Sequence, residues 1–221
     1  IDGLATANID VPLGYIPCGS TNDFAASHGL STDIIEAAEH IASGYSTRYD
    51  IGCFGGRHFT YVAAFGAFSW LSYTTDQNMK NVLGHTAYIL DAIKDLYKIK
   101  PLHMKVTADG VTHEDDYIFG AICNTTSVAG TITLPAAMVD TADGVFEVLL
   151  VKMPKTMLEL DMIIRGLLSQ DYSCPNIDLF QAKELDIENP PELEWSLDGE
   201  ASGVMDKVHV SVIPRFLNLR G

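Results

Sequence analysis

The chain has 221 residues, 47% hydrophobic and only 19% charged, which is enough apolar material for a buried core and excludes a disordered segment. A formal net charge of −15 excludes the basic surface that a nucleic-acid backbone demands. It also argues against tight electrostatic docking on anionic lipid, while leaving room for transient membrane contact through an apolar rim.

In chain order, Ile1 to Ala7 reads as the end of a helix, and Asn8 to Pro12 as a loop. A chain that opens in mid-element without Met is expected to be a piece of a longer protein. Leu13 to Pro17 is expected as a buried strand. A Pro/Gly turn and a short helix ending near Gly29 follow, with Ser20, Thr21 and Asn22 as capping residue types. Ser31 or Thr32 is expected to cap a second helix, Asp33 to Ala42, with Ile34, Ile35, Ala38, Ile41 and Ala42 on its apolar face and Gly44 as its stop.

The pattern then turns β-rich. Tyr45 to Cys53 reads as a strand, Phe54 to Arg57 as a turn, and His58 to Phe68 as an apolar, small-residue segment. A helix is expected from Thr75 or Asp76 through Tyr97. His103 to Ala108 alternates and meets Asp109-Gly110, a hairpin signal, with Val111 opening the partner strand. Further strands are expected at Tyr117–Asn124, Gly144–Met153, Ile177–Ala182, Glu184–Glu188, Leu193–Leu197 and Val208–Ile213. A helix, Leu158 to Ser169, interrupts them with Leu160, Ile163, Ile164, Leu167 and Leu168 as its apolar face. Cys18, Cys53, Cys123 and Cys174 lie far apart, without zinc or disulfide spacing, and read as reduced cytosolic thiols. No apolar run approaches the ~18 residues of a membrane span.

Three stretches carry chemistry. The first is Leu13 to Ala25, where a strand feeding a helix through a glycine turn aims free backbone N–H groups at one point, which suits phosphate. Asp23 beside that point would repel phosphate unless a cation lay between them. By spacing alone this is also ordinary strand–turn–helix architecture. The second is Leu197-Asp198-Gly199-Glu200, a half-buried strand running into an Asp-Gly turn, where Glu200 by itself reads as solvated. The third is Asp140 to Val148, where carboxylates at 140 and 143 before a β run by themselves read as a solvated turn.

The wording of these stretches is more specific than their spacing. Ile16-Pro17-x-Gly19-Ser20-x-Asn22-Asp23-Phe24-Ala25 resembles the I-P-x-G-T-x-N-D-F-A motif of the diacylglycerol kinase catalytic domain family, with Ser20 for the usual Thr. That family includes bacterial diacylglycerol kinases and the sphingosine kinases. Leu197 to Glu200 resembles its V/L-D-G-E motif, and Asp140 to Val148 its D-D-G-L-L-D/E-V segment, with Ala142 for the first Asp of the pair. Tyr49-Asp50-Ile51-Gly52 with Phe59-x-x-x-Ala63-Ala64-x-Gly66, and Asn124 with Gly130, are softer matches that read as packing.

The resemblance implies a mixed α+β fold like that of NAD kinase and diacylglycerol kinase. Residues 1–44 would be the C-terminal remnant of an α/β ATP-binding domain. Residues 45–213 would be an antiparallel, β-sandwich-like lipid-substrate domain with two helices, and residues 214–221 a basic tail returning to the first domain through Phe216, Leu217 and Leu219. It implies ATP and Mg²⁺ as cofactors. Glu200 would be the general base and Asp23 a member of the Mg²⁺–water network, with Gly19, Ser20 and Asn22 contacting nucleotide. Asp143, helped mainly by backbone oxygens of Asp140 and Val145, would hold a structural Mg²⁺. The acceptor would be a lipid hydroxyl, with diacylglycerol expected. The protein would be cytoplasmic and peripheral at the inner membrane surface, and a homodimer is compatible with this reading. The family's Gly-Gly-Asp-Gly-Thr phosphate loop is not among the 221 residues, and Ile1-Asp2-Gly3-Leu4 resembles what directly follows it, so little activity is expected of these residues alone. The competing readings are an NAD kinase-like enzyme and a non-catalytic lipid-binding module.

Overall fold

The structure is a computed structural model that describes residues 1–19, 22–66, 100–128 and 132–220. The expected helix at 75–97, Ser20, Thr21 and Gly130 lie outside the described residues.

The N-terminal part is short elements. Helix α1, Asp2–Thr6, is followed by β1, Leu13–Gly14, then α2, Asp23–Ser27, and α3, Ile34–Ser43. Three local expectations change here. The strand at 13–17 shrinks to two residues and is not buried, with Leu13 half-buried and Gly14 exposed. Helix α3 is capped by Asp33 rather than by Ser31 or Thr32. Asp33 Oδ1 accepts the N–H groups of Ile35 and Glu36 at 2.9 and 3.0 Å, and Ser31 Oγ donates to Glu36 instead. The apolar face expected of α3 is largely uncovered: Ile34 and Ile35 are 58% and 69% exposed, and Ala37 is the buried residue.

The remainder is a long, mostly antiparallel sheet. Its strands are β2, Ser46–Phe54; β3, Arg57–Phe59; β4, Val62–Gly66; β5, Leu102–Ala108; β6, Val111–Cys123; β9, Phe146–Lys152; β10, Ile177–Ala182; β11, Glu184–Glu188; β12, Glu194–Leu197; β13, Glu200–Val204; and β14, Lys207–Arg220. A small separate ribbon pairs β7, Ser127–Val128, with β8, Ile132–Thr133. The main path runs β13-β12-β4-β6-β5-β11-β14-β2-β3, with β9 and β10 branching from β6. Asp109 and Gly110 turn the β5–β6 hairpin with φ of +46° and +85°, the primed geometry that the twist of paired strands favours. Tyr117–Asn124 is not a separate strand but the second half of the 13-residue β6, buried from Tyr117 onward because the sheet folds over it.

That folding produces two cores. One, inside the sheet, holds Phe54, Phe59, Phe65, Tyr117, Phe146 and Trp195. The other lies between the sheet and helix α4, Met157–Ser169, whose Leu160, Ile163, Ile164 and Leu167 face Ile118, Leu149 and Val151. Leu168 is not part of that face and is 51% exposed. Thr156 Oγ1 accepts the Glu159 N–H at 3.2 Å and Glu159 reaches back to the Lys155 N–H at 2.6 Å, which fixes the helix start.

The last strand ties the two parts together. β14 continues past Ile213 to Arg220, pairs with β2 along most of its length, and takes β1 on its other side in parallel, Leu13 opposite Leu219. A register shift between Ile213 and Leu217 accommodates Pro214, which has no N–H to donate to a ladder, and Arg215 at φ +52°. Leu217 and Leu219 are buried against Ile51, with Leu13, Tyr15 and Phe24 packed on them.

Candidate active site

The Leu197–Glu200 stretch is a two-residue hairpin between β12 and β13. Asp198 and Gly199 take φ of +51° and +94°, and Leu197 pairs with Glu200. The turn is anchored at long range. Asp198 Oδ2 accepts the Thr60 N–H at 2.6 Å and Thr60 Oγ1 at 2.7 Å, and Oδ1 accepts the Tyr61 and Val62 N–H groups, each at 3.0 Å. The Asp198 N–H donates to Val62 O at 2.8 Å. A carboxylate receiving successive main-chain donors is a strong, directional clamp. It fixes the start of β13, where Glu200 stands exposed.

Asp23 opens α2 and is 8% exposed. Its Oδ1 accepts Ser127 Oγ at 2.9 Å, and one turn later Ser27 Oγ bonds the hydroxyls of Thr125 and Thr126. The short helix is thus riveted to the loop after β6. Asn22 does not cap α2 with its side chain: it sits at φ +51° and its Oδ1 accepts the Gly19 N–H at 2.8 Å, closing the preceding turn. Gly19 is exposed.

Asp23 and Asp198 act on the same group. Burial, then the negative charges of Asp198 and Asp23, raise the Tyr61 phenol above its usual value, with Tyr15 adding to the effect. The Asn124 N–H donates to Tyr61 O at 2.8 Å, and the buried Asn124 Nδ2 reaches Asp50 O at 2.9 Å. On the neighbouring side, His58 donates its N–H to Asp2 Oδ1 at 2.8 Å, and its Nδ1 meets the same oxygen at 2.8 Å. These bonds hold the Asp2 carboxyl below its usual range and pin α1 to β3.

The Asp140–Val145 loop is linked to this group through Asn124 and Asp50. Asp140 Oδ1 accepts the Ala142 N–H at 3.0 Å, and Asp143 Oδ1 accepts the Val145 N–H at 3.1 Å. A fully buried residue holds the loop in place. Asp50 Oδ2 accepts the Gly144 N–H at 2.7 Å, its Oδ1 accepts the Arg215 N–H at 2.6 Å, and its own N–H donates to Thr141 O at 2.8 Å. Burial and the charges of Asp140 and Asp50 raise Asp143. Glu147, buried and bonded to Gln181 Nε2 at 3.1 Å, is pushed up to about 7, chiefly by burial. Among the described residues no three His, Cys, Asp or Glu side chains converge as a metal cluster.

Asp198, Asp50, Ser127 and Tyr61 were not singled out as site residues by the sequence. An Asp-Gly pair signals a turn but not which distant N–H groups the Asp will hold.

Two family models match. The diacylglycerol kinase catalytic domain covers residues 1–54, and the YegS C-terminal NAD kinase beta sandwich-like domain covers residues 67–221. The chain belongs to the YegS/diacylglycerol kinase family. It is 27% identical over 207 residues to a diacylglycerol kinase of Bacillus subtilis (strain 168), covering 93% of this chain and 68% of the relative. It is 29% identical over 225 residues to a diacylglycerol kinase of Staphylococcus saprophyticus, covering 100% of this chain and 70% of the relative. A crystal structure of a proposed diacylglycerol kinase from Bacillus anthracis str. Sterne superposes with a TM-score of 0.76 at 26% identity, over 99% of this chain and 71% of that one. In this family of kinases the mixed α+β architecture with a β-sandwich-like domain is the shared fold. None of the described helices is long and apolar enough to cross a membrane.

Proposed function

We propose that this chain is the acceptor-side part of an ATP-dependent lipid kinase that phosphorylates the hydroxyl of a diacylglycerol. One observation carries the reading: two separate motifs place carboxylates around one wall. Asp198 clamps Thr60 to Val62 and so seats Glu200, while Asp23, locked on Ser127, acts on the same Tyr61. Membership of a family whose relatives are diacylglycerol kinases supports the lipid acceptor.

In the proposed reaction Glu200 takes the proton from the lipid hydroxyl. The new O–P bond forms to the γ-phosphorus as its bond to the β–γ bridging oxygen breaks, and ADP leaves. Gly19, Ser20 and Asn22 would face the nucleotide, and Asp23 the Mg²⁺ that neutralises phosphate charge. A second Mg²⁺ would rest on Asp143 with backbone oxygens of Asp140 and Val145, where burial, and then the charges of Asp140 and Asp50, raise the Asp143 carboxyl that a cation would stabilise as the anion. With no Gly-Gly-Asp-Gly-Thr loop among its 221 residues, this chain alone would hold ATP poorly. The protein would work in the cytoplasm, meeting its lipid at the inner membrane surface.

The test is transfer of the radiolabelled γ-phosphate of ATP by the full gene product to diacylglycerol in mixed micelles, with NAD as the competing acceptor and residues 1–221 assayed beside it. Label in the lipid from the full product, and little from residues 1–221, is the expected result. Label in NAD would replace the lipid reading with an NAD kinase-like one. Glu200→Gln should lose turnover and keep lipid binding, and unchanged turnover would remove Glu200 as the base.

A further inference from the structure

A cavity of about 300 Å³ opens beside the clamped hairpin, between β1, α2, β14 and the Thr60–Tyr61 segment. Its walls include Leu13, Tyr15, Phe24, Tyr61, Leu217 and Leu219. The volume is at the lower end of the ~300–1,000 Å³ typical of small-molecule sites, enough for one hydrocarbon segment rather than two. Thr60 also lines it, but its hydroxyl is committed to Asp198 at 2.7 Å. The polar side chains left to meet a ligand there are the phenols of Tyr15 and Tyr61. Burial raises both, so both stay protonated at neutral pH and act as donors.

The chemistry of the walls selects the occupant. A nucleobase needs a matched set of donors and acceptors along its edge, and the side chains of these walls offer only two phenols. A phosphate entering without a cation would face the negative charges of Asp23 and Asp198, both close enough to bear on Tyr61. A neutral amphiphile meets neither objection, since its chain fills the apolar space and its oxygen meets a donor.

We propose that this cavity binds the hydrocarbon nearest the glycerol of a neutral lipid acceptor, with the Tyr61 hydroxyl donating a hydrogen bond to an acceptor oxygen at its mouth. Tyr61 is then a specificity residue, held in place by its backbone bonds to Asp198 and Asn124. The assignment rests on the lipid-kinase reading above and names the subsite of that reaction.

The experiment titrates residues 1–221 with 1-monoacylglycerols of four-, six-, eight- and ten-carbon chains, below their micelle concentrations, by calorimetry. Affinity should rise about fourfold for each methylene that enters the cavity and then level off. Tyr61→Phe should weaken every chain length by a common factor of about five, the worth of one lost hydrogen bond, without changing the slope. Leu13→Phe should bring the plateau to shorter chains. The wild-type series needs no variant: absence of chain-length dependence, or displacement of the lipid by ATP, overturns the proposal. In the full gene product, Tyr61→Phe should raise KM for diacylglycerol about fivefold and leave KM for ATP unchanged. Lipid phosphorylation with an unchanged KM in Tyr61→Phe overturns this assignment and leaves the kinase reading standing. Phosphorylation of NAD instead overturns both.

Discussion

Asp198 reaches back 138 residues to Thr60, and its Oδ2 accepts both the Thr60 N–H at 2.6 Å and Thr60 Oγ1 at 2.7 Å. Together with the Tyr61 and Val62 N–H groups, this makes one carboxylate the joint between the β12–β13 hairpin and the start of β4. Asp198→Ala strips acceptors from several main-chain donors at once, each bond to a charged group being worth about 1.5–3 kcal/mol. Some of those donors regain water, so the expected loss is about 3 kcal/mol in urea unfolding, with turnover falling through displacement of Glu200. A loss below about 1 kcal/mol would show that the clamp is not what seats the hairpin.

Ser127→Ala separates the position of Asp23 from its charge. It removes the 2.9 Å bond that positions Asp23 Oδ1 and keeps the carboxylate's charge. Stability should fall by about 1 kcal/mol, the net worth of a single hydrogen bond. The full gene product should lose about tenfold in kcat with KM for lipid unchanged, since a mispositioned carboxylate weakens the transition state more than the ground state. Asp23→Asn should cost more than Ser127→Ala. Equal kcat in Ser127→Ala and wild type would make that bond purely structural.

Much of the β part was legible because its signals are local. Asp109-Gly110 specifies its own turn, and the alternation on either side gives β5 and the start of β6. Ile177–Ala182 and Glu184–Glu188 are bounded by their own composition, and the strands match those limits. What was not legible is set at long range. The periodicity of Ile34, Ile35, Ala38 and Ile41 marks an apolar stripe, but periodicity does not say what covers it, and Ile34 and Ile35 stand exposed. β6 looked like two strands because its first half is half-wet and its second half buried, a division imposed by the fold of the sheet. Of the site, the motif wording indicated Asp23 and Glu200. The partners Ser127 and Thr60 are 104 and 138 residues from the acids they bond, beyond any local pattern.

Asp50 offers a test of the Asp140–Val145 loop. Its buried carboxylate accepts N–H groups from Gly144 and Arg215, so it ties that loop to the bulge in β14. Asp50→Asn turns an amide NH₂ toward one of these donors, and unfolding free energy should fall by about 3 kcal/mol. Millimolar Mg²⁺ should raise the melting temperature of the wild type by binding the folded state, and Asp143→Asn should abolish that rise. EDTA should reverse it. An equal Mg²⁺ response in Asp143→Asn would place the ion elsewhere.

His28 gives the fold a pH dependence whose sign follows from its surroundings. The ring lies between Phe24 and Tyr49, with centroids 4.2 Å away on each side. Its Nδ1 donates to Phe24 O at 2.8 Å, and Nε2 is buried with no hydrogen-bond partner among the described residues. Burial therefore pushes its pKa below the usual 6.5 and keeps the imidazole neutral in the folded chain. In the unfolded chain the same ring takes up a proton as pH falls through about 6.5. The unfolded state then binds more protons than the folded one, so the contribution of His28 is fully present above that pH. It is lost as pH falls toward the depressed folded value, below which both states are protonated. His28→Phe keeps the aromatic contacts and removes the titration. Between pH 7.5 and 5.5 the melting temperature of the wild type should fall faster than that of His28→Phe, and an NMR titration of the His28 ring should place its midpoint below 6.5. Parallel melting curves across that range, or a midpoint above 6.5, would mean that the ring reaches water and that its packing between Phe24 and Tyr49 does not desolvate it.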